Sequence, residues 1–154
     1  MLDKKPKLIV MLSRFPFPLE KGDKLRAYFQ IFELSKKYDI TLLALSERTV
    51  SENDRNELNK FCSAVHVFIL PKWKSLFYTL FALFGTKPLQ VGYFYSPFVH
   101  QKVKKIIDTT QPDHIYCQLV RTAEYVKNYH NCPKTIDYMD AFSKGIERRI
   151  ELQT

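Results

Sequence analysis

The sequence KLIVMLS, from Lys7 to Ser13, is a continuous apolar run that lacks the period of a helix. Such a run is typical of a β-strand whose two faces are both covered. Strands of this kind occur almost only in parallel sheets that carry helices on both sides. The run therefore predicts the first buried strand of an α/β protein.

Apolar strands and helical patterns alternate along the rest of the chain. Four more strands are predicted at Asp39 to Leu45, Ala64 to Leu70, about Asp113 to Leu119 and about Lys134 to Met139. This order predicts an α/β fold with a doubly wound, mostly parallel sheet and helices on both faces. No linker or internal repeat interrupts residues 1–154, so we expect one domain throughout.

Apolar spacing and capping residues predict the helices. The first has Asp23 as its N-cap and one apolar face formed by Leu25, Tyr28, Phe29 and Phe32. A capping-box pattern at residues 51–54 opens a second helix, which buries Leu58 and Phe61. A third helix starts at Ser96 and Pro97 and carries the stripe Val99, Val103, Ile106 and Ile107.

The composition favours anionic partners. The formal net charge is +8 and the isoelectric point is about 9.4, which suits phosphates, nucleic acid or an acidic membrane surface. Excess lysine that only solvates the surface is the alternative explanation. The three cysteines and four histidines show no metal-ligand spacing, so we expect no metal and a reducing compartment. The first apolar run is too short for a signal peptide, and we expect a cytoplasmic protein.

Residues 13–29, SRFPFPLEKGDKLRAYF, connect the first strand to the first helix. In open parallel sheets, ligands bind beyond the carboxyl ends of the strands, where this segment, residues 118–121 and residues 140–143 all fall. Gly22 lies at a helix start, whose N–H groups favour an anion, and Arg26 can add a bidentate contact at the same point. The alternative is that Gly22 only makes the turn and Arg26 is solvated.

Three later side chains are further candidates for chemistry. Arg121 follows the fourth strand and can neutralise a phosphate, unless it is simply a surface arginine. Asp140 lies past the fifth strand and is a better acid–base candidate than Asp137 inside it, although a helix cap or ion-pair partner is the commoner role. The chain contains neither a P-loop nor a dinucleotide fingerprint, which counts against NTPase and NAD-dependent activities.

Residues 73–85, WKSLFYTLFALFG, form the most hydrophobic segment. Its uncharged run is much shorter than the roughly 20 residues that span a bilayer. Three lysines flank the segment, at Lys72, Lys74 and Lys87. The pattern predicts a helix that lies at an anionic membrane surface or packs against the sheet or a partner domain.

Three stretches together resemble the N-terminal half of a family 4 glycosyltransferase of the GT-B fold. They are SRFPFPLEKGDKLRAYFQIFELSKKYDITLLAL, GTKPLQVGYFYSP, and the pair PDHIYCQLVRTAEYV and KTIDYMDAFSKG. The likeness covers nearly the whole chain and is greatest to bacterial sugar transferases found with exopolysaccharide gene clusters. Where the family has an aromatic residue after its serine–lysine pair, this chain has Gly145 after Ser143 and Lys144.

The resemblance implies a retaining transferase that moves a sugar from a nucleotide-sugar donor to a saccharide or lipid-linked acceptor without a metal or other cofactor. It places Gly22, Asp23 and Arg26 near the donor phosphates and Arg14, Arg121 and Ser143 at the cleft or acceptor, with Asp140 as the catalytic candidate. In this family a second, C-terminal domain carries most of the donor site. Residues 1–154 correspond to the acceptor-side domain, with a cytoplasmic location that is peripheral at the inner face of the membrane.

Two other classes of function fit parts of the sequence. A nucleic-acid-binding module would fit the charge and the 14% aromatic content, but no recognised nucleic-acid motif supports it. A non-catalytic α/β domain that binds a partner through the apolar segment is the other alternative. A steep salt dependence of nucleic-acid binding would favour the first, and a retained protein partner would favour the second.

Overall fold

The computed structural model describes residues 4–71 and 93–138. Five strands and four helices lie wholly within the described residues. In chain order these are β1 (Lys7–Leu12), α1 (Gly22–Ser35), β2 (Asp39–Ser46), α2 (Glu52–Asn59), β3 (Ala64–Ile69), α3 (Pro97–Thr110), β4 (His114–Gln118), α4 (Val120–Ala123) and β5 (Lys134–Asp137). All five predicted strands are present, with ends that differ from the predicted ones by no more than a few residues.

The strands of the described residues form one sheet in the order β3-β2-β1-β4-β5, and every neighbouring pair is parallel. The predicted doubly wound α/β fold is confirmed, with a Rossmann-like sheet. The chain adds strands outward from β1 in one direction and then returns to its other side with β4. The boundary between β1 and β4 is therefore the point where the strand order reverses.

Strand β1 supplies side chains to two separate cores, one on each face of the sheet. Leu8, Val10 and Leu12 pack with α1 and α2 on one face. Ile9 and Met11 pack with α3 on the opposite face. Because successive side chains alternate across a strand, a continuous apolar run is required wherever both faces are covered.

The face of α1 that contacts the sheet is not the predicted one. Ala27 and Ile31 are buried against it, whereas Leu25, Phe29 and Phe32 are exposed and Tyr28 is half-buried. The helix carries two apolar stripes on opposite sides, and periodicity alone does not decide between them. Ala27 and Ile31 belong to the core cluster that β1 and β2 share with α2, whereas Leu25, Phe29 and Phe32 do not.

The helix ends also refine the sequence prediction. Asp23 is not the N-cap of α1, because Lys21 holds that position without a side-chain cap and Asp23 lies in the first turn. Ser51 caps α2 as predicted, with its hydroxyl accepting from the N–H of Asp54 at 3.1 Å. Ser96 and Pro97 begin α3, although the Ser96 side chain makes no capping bond.

Several predicted features lie outside the described residues, namely the apolar segment 73–85 and the candidates Asp140 and Ser143. In the part of the chain that is described, no helix has the length and apolar content needed to span a bilayer. The three cysteine thiols are free, and Cys62 and Cys117 are buried.

The two stripes of α1 should differ sharply in their contribution to stability. Ile31 is 1% exposed and Phe29 is 52% exposed. We expect Ile31→Ala to lower the free energy of unfolding by about 2–5 kcal/mol, because it removes buried methyl groups and leaves a cavity. The matched variant Phe29→Ala should change it by less than about 1 kcal/mol. Urea denaturation of the two variants measures both values, and equal losses would contradict the assigned orientation.

Candidate functional site

The candidate site lies at the carboxyl edge of the sheet, where the strand order reverses. Strand β1 leads into Ser13 and Arg14, and β4 leads into Leu119 and Arg121. Helix α1 begins at Gly22 and returns from the same edge. The fold thus brings together three segments that are far apart in the sequence, at the position where open parallel sheets bind ligands.

Two arginines and one carboxylate form the charged centre of this site. The Arg14 guanidinium donates to the Asp23 carboxylate at 3.2 Å. Arg121 is half-buried, and its guanidinium lies 4.7 Å from the centre of the Phe94 ring. Burial lowers the pKa of Arg121, the positive charge of Arg14 lowers it further, and the Asp23 carboxylate partly restores it. With two positive charges and one negative charge, the centre favours an anion.

The start of α1 leaves room beside these charges. A methyl group built on Gly22 would have no atom within 4 Å. Gly22 adopts no unusual backbone conformation, so neither a turn nor a close protein contact requires glycine there. The Asp23 carboxylate accepts from the N–H of Lys24 at 3.0 Å, and it therefore covers part of the positive helix end. The open side of the helix end is the Gly22 side.

Gln118 has an unsatisfied side-chain amide and Leu119 has a strained backbone. The sequence indicated their segment, residues 118–121, but neither of these two features. Gln118 is 4% exposed, and its side-chain amide nitrogen has no hydrogen-bond partner within the described ranges. Leu119 adopts φ 70° and ψ 148°, a conformation that is nearly restricted to glycine. Its N–H is held by the Asp137 carbonyl oxygen at 2.9 Å. Strain and an unpaired buried donor at one strand end are features that cluster at binding sites.

Arg26 belongs to a second polar cluster beside the site, on the side of β5. Its guanidinium donates to the Asp137 carboxylate at 2.9 Å. The same carboxylate oxygen accepts from the Tyr116 hydroxyl at 2.8 Å and from the Gln30 amide at 3.3 Å. Burial and the neighbouring Asp137 carboxylate raise the pKa of Tyr116. The structure therefore brings Gly22, Asp23, Arg14 and Arg121 together but gives Arg26 a carboxylate partner of its own.

A cavity of about 470 Å³ opens beside the charged centre, beyond the ends of β1, β2 and β3. Phe15, Phe17 and Leu70 contribute apolar walls, and Ser13, Ser46 and Thr49 contribute polar groups. Its charged lining residues have both signs: Arg14, Lys21, Lys24 and Arg48 are basic, and Glu20, Glu47 and Asp54 are acidic. A mixed lining of this kind suits a polar ligand that has several hydrogen-bonding groups.

Comparison with known proteins finds structural likeness but no sequence match. No protein-family model and no curated protein matches the chain. The crystal structure of TcCGT1 in complex with UDP is similar, with a TM-score of 0.48 and 13% sequence identity. The match covers 98% of this chain but 33% of that one, so this chain spans about a third of the length of TcCGT1. A likeness of this degree does not assign a function.

The raised pKa of Tyr116, which burial and the Asp137 contact produce, predicts a loss of stability at high pH. Because the folded protein keeps Tyr116 protonated to a higher pH than the unfolded chain, this stabilising contribution is complete below the ordinary tyrosine pKa of about 10. It declines as the pH rises above that value. We expect the difference in unfolding free energy between wild type and Tyr116→Phe to shrink from about pH 9 to about pH 11. A difference that stays constant over this range would contradict a raised pKa of Tyr116 in the folded protein.

Proposed function

We propose that the chain is the acceptor-side, N-terminal half of a glycosyltransferase that uses a nucleotide-sugar donor. The observation that carries the proposal is that Arg14 and Arg121 both lie near Asp23 at the open start of α1, at the point where the strand order reverses. The resemblance of the three sequence stretches to family 4 glycosyltransferases points to the same reaction. In this proposal the anion at the site is the diphosphate of the donor.

The chemistry of sugar transfer fits the charges of this centre. As the bond to the leaving group breaks, positive charge develops on the sugar and negative charge on the departing diphosphate. Preorganised cations and backbone N–H groups that face the leaving group stabilise that charge. Arg121 is suited to this role because partial burial strengthens its electrostatic effect. Asp23 holds Arg14 in place and offsets part of its positive charge.

The cavity beside the centre is the proposed acceptor side. It adjoins the charged centre through Ser13 and Arg14, and it combines aromatic walls with hydroxyl groups and charges of both signs. Sugars are bound by groups of this kind, because apolar faces stack on rings while polar groups bond the hydroxyls. Asp140 as catalytic group, Ser143 at the cleft, a retaining outcome and independence from metals remain part of the proposal through the family resemblance alone.

A complete transferase of this architecture needs a second domain for most of the donor. We therefore propose that residues 1–154 act together with a C-terminal donor-binding domain, in the synthesis of a bacterial surface polysaccharide on the cytoplasmic side of the membrane. The proposal for the second domain is tested by the coding sequence after the codon for Thr154. A continuing frame of roughly one more Rossmann-like domain supports it. A stop codon with no such domain nearby argues for a non-catalytic binding domain instead.

Binding of phosphates should depend on Arg121. We expect UDP and inorganic pyrophosphate to bind the chain in isothermal titration calorimetry, and Arg121→Gln to weaken binding about tenfold, because it removes a charged hydrogen bond. The matched control is Arg55→Gln, since Arg55 is an exposed arginine on α2. Equal weakening by the two variants would show a general charge effect and contradict the site. Preferential binding of nucleic acid with a steep salt dependence would favour a nucleic-acid module.

Gly22 provides a second test because its space is open in the protein. We expect Gly22→Val to fold with a stability close to that of wild type, since no atom lies within 4 Å of a built Cβ. The added side chain should still weaken pyrophosphate binding by about tenfold, because it blocks approach to the helix end. The urea midpoint and the calorimetric dissociation constant measure the two effects. Unchanged pyrophosphate binding would contradict a phosphate beside Gly22.

A further inference from the structure

Helix α1 presents an apolar stripe on the side that faces away from the sheet. Leu25, Phe29 and Phe32 are 42%, 52% and 37% exposed, and their spacing of four and three residues aligns them along the helix. Ala27 and Ile31 are buried on the opposite side. A helix of a globular protein normally presents polar groups there, and none of the three side chains belongs to either core cluster.

The stripe is a preformed surface rather than a set of separate side chains. The Phe32 and Phe61 rings meet edge to face with centroids 5.4 Å apart. Tyr28 contacts Phe29 at 5.5 Å and Phe61 at 5.4 Å in the same arrangement. These ring contacts hold the phenylalanines in position, so little conformational entropy is lost when another surface covers them.

Basic side chains lie near both ends of the stripe. Residues 21–37 contain five basic and two acidic side chains. Lys36 lies at the end of the stripe, with its ammonium group 4.7 Å from the centre of the Phe32 ring, and it also pairs with Glu33. Lys21 and Lys37 are exposed and have no ion-pair partner within residues 4–71 and 93–138. A partner of complementary charge is therefore anionic.

We propose that this face of α1 docks onto an anionic lipid bilayer. Aromatic and leucine side chains with flanking lysines are the groups that helices at a bilayer surface use, since the rings enter the interface while the ammonium groups contact headgroups. A second copy of the chain fits less well. Three partly exposed side chains present a much smaller surface area than the roughly 1,200 Å² that stable protein interfaces bury. In addition, the lysines near the stripe would repel those of a second copy.

Docking through α1 would hold the candidate site close to the membrane. The helix begins at Gly22, inside the charged centre, so that centre would lie within about one helix diameter, ~10–12 Å, of the lipid headgroups. If the proposed transfer reaction is correct, this position favours a lipid-linked acceptor over a free saccharide. That last step rests on the proposed function, whereas membrane docking itself does not.

The test is co-sedimentation of the 154-residue chain with vesicles of phosphatidylcholine alone and with about 30% phosphatidylglycerol. We expect binding to the anionic vesicles only, reduced about tenfold or more in Phe29→Ser/Phe32→Ser. The matched control is Phe98→Ser on α3. Phe98 is 62% exposed with the Lys102 ammonium 4.3 Å from its ring centre, and its removal should leave binding unchanged. Lys21→Glu/Lys37→Glu should weaken binding without altering the apolar stripe.

Thermal unfolding of each variant, followed by circular dichroism, confirms that the variants are folded before vesicles are added. Absence of wild-type binding to anionic vesicles, or equal binding by the double phenylalanine variant, would overturn the proposal. So would a wild-type dimer that the same variant converts to a monomer without any change in vesicle binding. Calorimetry with pyrophosphate reports separately on the charged centre, so failure of docking is distinguishable from failure of the proposed function.

Discussion

The parallel pairing of β1 with β2 on one side and with β4 on the other is the constraint on which the rest of the structure depends. This central position requires apolar side chains on both faces of β1, and residues 8–12 provide them without a polar interruption. It also places the ends of β1 and β4 side by side. The loops that follow them diverge there, because their helices lie on opposite faces, and a crevice forms between them.

The same constraint concentrates polar and strained groups at one edge of the sheet. Arg14 forms an ion pair with Asp23, and the charges of both residues act on Arg121. The buried Gln118 amide and the strained Leu119 lie at the end of β4 beside them. A stable scaffold tolerates such costs because the two apolar cores beneath are extensive. The second cluster, around Asp137, joins α1 to β4 and β5 and so supports the helix whose N-terminus borders the site.

The fold could be predicted from the sequence because buried parallel strands have a direct signature, as KLIVMLS shows. The segments at the carboxyl edge followed from the same reasoning, and Arg14, Gly22, Asp23 and Arg121 are indeed close together. The orientation of α1 could not be predicted, because Leu25, Phe29 and Phe32 have the same helical period as a buried stripe. The Arg26–Asp137 contact joins residues 111 positions apart, and nothing in the local sequence of either indicates it. The positive φ of Leu119 is equally unpredictable, because leucine is not a residue that favours it.

We propose that the boundary between β1 and β4 binds a phosphate-bearing ligand. The most direct measurement is a titration of the ¹⁵N-labelled chain with UDP, followed by two-dimensional NMR of the backbone amides. We expect the largest, saturable shifts at Gly22, Leu119 and Arg121, because these amides border the charged centre. Shifts confined to other surfaces, such as the helix α2 around Arg55, or no saturable shift at all, would contradict the account.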